Sequence, residues 1–305
     1  MLSWTSPHGR PLPALGGRTL LMGVLNATPD SFSDGGQLST IDLALARARE
    51  MIAAGADVLD LGGESTRPGA KTVSVDEELS RILPLLSALR SAWPDVAISI
   101  DTYKATVAEE AISAGADIVN DVWGLMHGLT DQQRSEYREK TARDDHLEQQ
   151  PSTTPMAALI ARLRCPVILM HNRPRRDYQD FWADVLLDLK TSVRLALAAG
   201  VERHQLWLDP GFGFAKDVAQ NLEILRDLNR ICSLGYPVLV GTSRKSTLGA
   251  VLEANVDDRL EGTGATVVWA IQQGARMIRV HDVREMARFA RMADAIKLGL
   301  GYPPS

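Results

Sequence analysis

The sequence predicts an α/β chain folded as a single-domain (β/α)8 barrel, with an extended excursion after its fourth strand. Three observations predict it. Eight short, nearly continuous apolar runs recur along the 305 residues, and each ends in polar groups. Amphipathic helical stretches separate most of them. Glycine stands just before many of the runs, at Gly55, Gly115, Gly200, Gly235 and Gly274, where it ends a helix in a left-handed conformation without a Cβ clash. Eight alternations in one chain of this length favour a closed barrel over two domains.

The candidate strands are 19–25, 57–61, 96–100, 117–119, 166–170, 205–208, 237–240 and 277–280. Unbroken apolar runs, rather than alternating ones, are what a parallel strand covered on both faces requires. The candidate helices are 41–54, 75–93, 104–114, 181–199, 219–234, 259–273 and 283–298. The echo of Ala54-Gly55-Ala56-Asp57 in Ala114-Gly115-Ala116-Asp117 is a trace of one repeating unit. A doubly wound open sheet is the alternative, but no Gly-x-Gly-x-x-Gly turn opens the first helix. Residues 126–156 break the rhythm: they are long, charged and poor in apolar groups, with Pro151 and Pro155 near the end. They are expected to form a surface insertion, partly helical. Residues 1–17 read as an N-terminal extension, 18–300 as the barrel and 301–305 as a tail.

The bulk numbers narrow the function. Hydrophobic residues make up 45% and the net charge is −5, so the chain can bury a large core and lacks the concentrated cationic face of a nucleic-acid binder. Two cysteines, Cys165 and Cys232, have no metal-ligand spacing and fit reduced thiols of the cytoplasm. Neither a basic, apolar leader nor a run of the ~18–20 apolar residues needed to cross a bilayer is present, so no membrane is expected among the partners.

In barrels of this kind chemistry sits at the carboxyl ends of the strands. There the first strand runs into Asn26, the second into Gly62-Gly63-Glu64-Ser65-Thr66-Arg67-Pro68, the third ends at Asp101, and the fourth at Asn120 and Asp121. The fifth reaches His171 and Asn172, the sixth Asp209, the seventh Thr242-Ser243-Arg244-Lys245-Ser246, and the eighth carries Arg279 and His281. One polar group after a buried run is commonly a helix cap; all eight at the same end are not. Asp101, Asn120 and Asp209 offer acceptors and an amide to a planar ring. Arg67, Lys245, Arg279 and His281 offer charge to an anion, and Arg279 and His281, two apart on a strand, face the same side. The 243–246 stretch precedes a helix whose start favours a carboxylate or phosphate. The residues alone therefore predict a slot for a neutral ring beside an anion cradle, and do not name the substrate.

Longer motifs carry a resemblance. Met22-Gly23-Val24-Leu25-Asn26-Ala27-Thr28-Pro29-Asp30-Ser31-Phe32-Ser33-Asp34-Gly35-Gly36 and Gly62-Gly63-Glu64-Ser65-Thr66-Arg67-Pro68-Gly69 resemble the two signatures of the dihydropteroate synthases, a pterin-binding TIM-barrel family. Ser99-Ile100-Asp101-Thr102-Tyr103-Lys104, Asn120-Asp121, Leu169-Met170-His171-Asn172-Arg173, Asp209-Pro210-Gly211-Phe212-Gly213-Phe214, Gly241-Thr242-Ser243-Arg244-Lys245-Ser246 and Arg279-Val280-His281-Asp282-Val283 follow in family order, from about residue 19 to 296. The resemblance implies condensation of 6-hydroxymethyl-7,8-dihydropterin diphosphate with 4-aminobenzoate. It implies that Asp101, Asn120, Asp209 and Lys245 hold the pterin in a pocket lined by Val122, Met170, Phe214 and Gly241. Asn26 would ligate Mg²⁺ on the diphosphate, with Thr66, Arg67, Arg279 and His281 around the leaving group. Phe32, Thr66, Pro68, Lys245 and Ser246 would form the aminobenzoate site. Arg67, Lys245, Arg279 and His281 are the expected catalytic groups, sulfonamides the expected competitors, and a homodimer the state expected by family analogy. Ala27 replaces a valine and Ala215 a glycine of the usual pattern; neither removes a functional group.

Two rivals share parts of this pattern. A folate-dependent methyltransferase barrel has no need of the first two loops, the Arg279/His281 pair or Ser246. A non-catalytic pterin-binding paralogue has no need of a complete set. Of the aromatic residues outside the motifs, Trp123, Trp182, Trp207 and Trp269 are expected to pack, and His127, His146 and His204 to lie on the surface.

Overall fold

A computed structural model describes residues 4–27, 40–65, 71–143 and 154–299. Thr66, Arg67 and Pro68 of the second loop, Phe32 of the first, His146, the centre of the excursion and the expected tail lie outside the described residues.

Eight parallel strands form the sheet: β1 (Leu20–Asn26), β2 (Val58–Gly62), β3 (Ala97–Asp101), β4 (Ile118–Asp121), β5 (Val167–Met170), β6 (Leu206–Asp209), β7 (Leu239–Val240) and β8 (Met277–Val280). Their order, β6-β5-β4-β3-β2-β1-β8-β7, is that of a ring, with β1 beside β8. A parallel bridge between Leu208 and Val238 joins the two ends, and the Leu208 N–H reaches the Pro237 carbonyl at 3.0 Å. The sheet is therefore a barrel and not the doubly wound alternative.

Around it stand α1 (Thr40–Ala53), α2 (Val75–Ala92), α3 (Ala105–Ser113), α4 (Asp131–Ala142), α5 (Pro155–Leu163), α6 (Phe181–Ala198), α7 (Val218–Arg226), α8 (Asn229–Cys232), α9 (Ser246–Leu252), α10 (Leu260–Gln273) and α11 (Val283–Leu298). Gly55 and Gly115 do end their helical units at φ +101° and +111°. None of the described helices is long and apolar enough to cross a membrane.

Strand parity divides the molecule into two cores. Leu21, Leu25, Leu59, Leu61, Ile98 and Ile100 face outward into the layer beneath the helices. Leu20, Met22, Val58, Ala97, Ile118, Ile168, Trp207, Leu239 and Met277, each out of phase with its outward neighbours, fill the amino end of the lumen. Trp4 joins this inner cluster, 4% exposed and 4.8 Å from the Trp207 ring. The first residues described thus plug the barrel floor. Asp117 ties them down, accepting from Ser6 Oγ at 2.6 Å and Arg10 Nε at 3.0 Å.

Two expectations need correction. The single helix over 219–234 is two, α7 and α8, because the chain turns at Asp227 to bury Leu228 and Ile231. Trp269 is 48% exposed rather than packed, its indole N–H donating to the Leu225 carbonyl at 2.8 Å. His127 is exposed, as expected, with its ring 4.4 Å from that of Tyr103. The excursion is partly helical as expected: α4 opens on a Thr130/Gln133 capping box. The barrel helix of this unit, α5, begins inside the excursion at Pro155.

Candidate active site

Side chains on a strand alternate sides, so the parity that sends Val58 and Ala97 into the lumen also sends in Asp60 and Gly62, Ser99 and Asp101. The same phase brings inward Asn26, Asn120, Met170, Asp209, Gly241 and Arg279. The upper lumen is therefore polar where the lower is apolar. Asn26, Asp101, Phe214, Lys245, Ser246, Arg279 and His281 line one cavity of about 400 Å³, together with Val24, Glu64, Arg244, Val256 and Arg259. Asn120, Val122, Met170, Asp209 and Gly241 are buried at strand ends and do not form part of that wall. Asn120 and Asp209 connect to it through bonds and charge, Met170 pairs with Asp209 between β5 and β6, and a side chain at Gly241 would come 3.5 Å from Arg279 Cβ.

Arg279 organises the slot. Its Nε donates to Asp60 Oδ2 at 2.6 Å and its Nη2 to Asp101 Oδ2 at 2.7 Å. Asn120 Nδ2 donates to the same Asp60 oxygen at 3.2 Å. Burial pushes the Asp101 carboxyl up to about 7; Arg279 pulls against this, and Asp60 adds to it. The two carboxylates hold Arg279 firmly as a cation despite its burial. Asp101 Oδ1, Asp60 Oδ1 and Ser99 Oγ are buried without a hydrogen-bond partner. Buried polar atoms left in that state are costly, and three such acceptors in one lumen suit a flat ligand bearing N–H groups.

Across the cavity, Lys245 donates to the Phe212 carbonyl, and its ammonium stands 4.7 Å from the Phe214 ring centroid. Burial lowers Lys245 to about 8 while Asp209 opposes the shift. Burial raises Asp209, opposed first by Lys245 and by the Gly211 N–H on its Oδ1 at 2.7 Å. His281 Nδ1 lies 3.0 Å from Ser243 Oγ, at the rim beyond β8. Ser246 opens α9 and is exposed to the cavity mouth.

Parity also separates two neighbours that the sequence set side by side. Asn120 faces the lumen, whereas Asp121 accepts from the Trp123 and Leu125 N–H groups at 2.8 and 2.7 Å. It is a loop cap, and burial raises it to about 6. Asp60 was missed, although a carboxylate inside the apolar run Val58-Leu59-Asp60-Leu61 was a visible signal. Glu64, which accepts from the Tyr103 hydroxyl at 2.8 Å and from Lys104 at 2.5 Å, was missed as well.

The profile of the pterin binding enzyme family matches residues 22–281. The dihydropteroate synthase of Bacillus subtilis is 47% identical over 279 residues, covering 92% of this chain and 89% of that one. The chain belongs to the dihydropteroate synthases. The crystal structure of the Clostridium difficile dihydropteroate synthase in the presence of pteroic acid superposes with a TM-score of 0.82 at 45% identity, covering 93% of this chain and 99% of that one. A Xanthomonas albilineans dihydropteroate synthase with 4-aminobenzoic acid gives a TM-score of 0.82 at 38% identity, covering 97% and 100%. That of Yersinia pestis with a sulfonamide drug complex gives 0.77 at 37%, covering 92% and 95%. Ala215, where the resemblance implied a glycine, takes φ +45°, a left-handed backbone that costs a residue with a Cβ about 1–2 kcal/mol.

Proposed function

We infer that this chain condenses 6-hydroxymethyl-7,8-dihydropterin diphosphate with 4-aminobenzoate, giving 7,8-dihydropteroate and diphosphate for folate biosynthesis. The observation that carries the reading is the polar upper lumen. Asp60, Asp101 and Ser99 keep unpartnered acceptors there, Arg279 holds Asp60 and Asp101 through their other oxygens, and Asp101 and Arg279 share a cavity with Lys245, Ser246 and His281.

In the reaction the bond from the pterin methylene carbon to the diphosphate oxygen breaks ahead of amine attack, and its electron pair leaves with the diphosphate. The amine lone pair then forms the C–N bond, and the amine gives up one proton to solvent. Positive charge spreading into the ring would be answered by Asp101 and Asp209, and negative charge on the leaving group by Arg67, Arg279 and His281, with Thr66 as a further diphosphate contact. Asn120 and Lys245 would help hold the ring against Val122, Met170, Phe214 and Gly241. Aniline attack needs placement more than activation. Phe32, Thr66, Pro68, Lys245 and Ser246 would supply that placement, and a sulfonamide would compete for it.

Among the described residues no group of three or more His, Cys, Asp or Glu side chains is set to hold a metal ion. The single amide oxygen of Asn26 on the cavity wall fits Mg²⁺ that arrives with the diphosphate, since this ion keeps water and phosphate ligands beside one or two protein oxygens. When bound it would neutralise charge on the leaving diphosphate. Exposed apolar side chains on neighbouring helices, Val218 and Leu222 of α7, Trp269 of α10 and Phe289, Met292 and Ile296 of α11, offer a second copy a face for the expected homodimer.

The test is diphosphate release with each substrate alone and with both, with and without Mg²⁺ and a sulfonamide. Release that requires both substrates is expected. Pterin binding without release would leave a non-catalytic paralogue, and methyl transfer would leave the methyltransferase reading. Arg279→Ala is expected to lower turnover about 10²–10³-fold with the circular-dichroism spectrum unchanged; turnover near wild type would remove Arg279 from the mechanism.

A further inference from the structure

At the carboxyl ends of β5 and β6, packed against the loop that follows β6, lies a buried chain of polar groups that the condensation itself does not use. Lys216, in the loop between β6 and α7, is buried. Its Nζ lies 2.8 Å from His171 Nδ1, 3.0 Å from the Gly211 carbonyl and 3.1 Å from the Phe214 carbonyl. The other ring nitrogen of His171, Nε2, is 3.1 Å from Asp188 Oδ2 on α6. Asp188 also accepts from Arg173 Nε at 2.6 Å and from Arg138 of α4.

The proton count fixes the arrangement. A lysine ammonium has three N–H bonds and no acceptor site, and here it has three acceptors. While Lys216 carries its full charge, His171 Nδ1 is unprotonated, which places the ring proton on Nε2, where it donates to Asp188. Burial, followed by the Lys216 charge, lowers His171 to about 4, in keeping with a neutral ring. Burial lowers Lys216 to about 7, with Asp209 opposing.

Both carbonyls that Lys216 holds belong to the loop that builds the pterin end of the cavity. Between them Phe212 offers the carbonyl that anchors Lys245. Gly211 donates to Asp209, and Phe214 is itself part of the wall. Only glycine fits at position 211 of this loop. Its φ is +66°, and a Cβ there would lie 1.9 Å from the His171 carbonyl oxygen.

We propose that Lys216 is a positioning residue of the pterin site: its three hydrogen bonds fix the loop so that Asp209, Phe214 and the Phe212 carbonyl that anchors Lys245 stand in register with the ring, and His171 and Asp188 fix Lys216 in turn. This rests on the condensation reading above. Groups one shell removed from a reacting centre typically change affinity or rate by about 10–100-fold.

The test uses the full chain, calorimetric binding of 6-hydroxymethylpterin, and separate KM values for the two substrates. Wild-type protein that neither binds pterin nor releases diphosphate defeats the condensation reading itself. Given an active wild type, Lys216→Met is expected to weaken pterin binding and raise the KM for pterin diphosphate about 10-fold or more, with the KM for 4-aminobenzoate within twofold. Unchanged pterin binding overturns the proposal. So does a fall in kcat with both KM values unchanged, which would report only a smaller folded fraction. Should Lys216→Met fail to fold, His171 decides. Asn at 171 retains an acceptor near Nδ1 and Leu does not, so His171→Asn is expected to bind pterin at least fivefold more tightly than His171→Leu. Equal affinity in the two variants overturns the proposal.

Discussion

Asp101 holds two roles that conflict. It binds the Arg279 cation at 2.7 Å through Oδ2 and keeps Oδ1 unpartnered in the lumen. Burial raises its carboxyl from 3.8 to about 7. A carboxyl raised on folding keeps its proton in the native state after the unfolded chain has lost it, so stability falls as pH rises from about 4 to about 7. Asp101→Asn removes the titrating group. The melting temperature of Asp101→Asn relative to wild type is therefore expected to climb between pH 4.5 and 7.5 in scanning calorimetry, and a constant difference across that range would reject the assignment. The residue scale also shows what the sequence conveyed. Asp101, Asn120 and Arg279 were legible as strand-end polar groups. The bonding of Asn120 and Arg279 to Asp60 was not, because it spans 60 and 219 residues. The separate duties first given to the ring acceptor Asp101 and the anion-binding Arg279 meet in one ion pair.

At the scale of elements, α4 is the addition to the barrel plan. Of its residues only Tyr137 and Thr141 are buried. Polar all round, such a helix has little intrinsic stability and depends on docking. Tyr137 packs in a small cluster with Met126 and Leu195, and Arg138 pairs with Asp184 and Asp188 of α6. Truncating a large buried aromatic costs about 3–5 kcal/mol where the site cannot collapse. Tyr137→Ala is expected to speed hydrogen exchange across 131–142 at least 10-fold while β1 to β3 keep wild-type protection; uniform protection of α4 would mean that other contacts dock it. The excursion was legible as a departure from rhythm and as partly helical. The landing place on α6 was not, since it rests on charge pairs about 50 residues distant. The break between α7 and α8 was likewise hidden, because periodicity over 219–234 continues through the turn that buries Leu228.

The whole molecule divides along the barrel axis into an apolar floor and a polar mouth. Trp4 closes the floor against Trp207, with its indole N–H on the Pro13 carbonyl at 2.7 Å. Trp4→Ala leaves a cavity among Leu20, Met22, Val58 and Met277, a loss of about 3–5 kcal/mol. In a chain of this size each kcal/mol lowers the melting temperature by about 2–4 °C. The expected result is a fall of about 6 °C or more with the KM for pterin diphosphate within twofold, because the floor and the cavity lie at opposite ends of the strands. A fall under 2 °C would show that the plug is dispensable.

The sequence by itself determined the alternation of strand and helix, the ends of most strands to within one or two residues, and the polar character of all eight carboxyl ends. These are local properties: apolar runs, glycine stops and turn chemistry act over a few residues. It also carried the family through motifs that are contiguous in the chain. The tertiary structure alone decided which polar groups share the lumen, because a one-residue change of phase sends Asn120 inward and Asp121 outward. It alone joined Asp60 to Arg279, Lys216 to His171 and Trp4 to Trp207. Closure of the ring brings such residues together across 45 to more than 200 positions, and a local pattern carries no information about which distant strand will lie alongside.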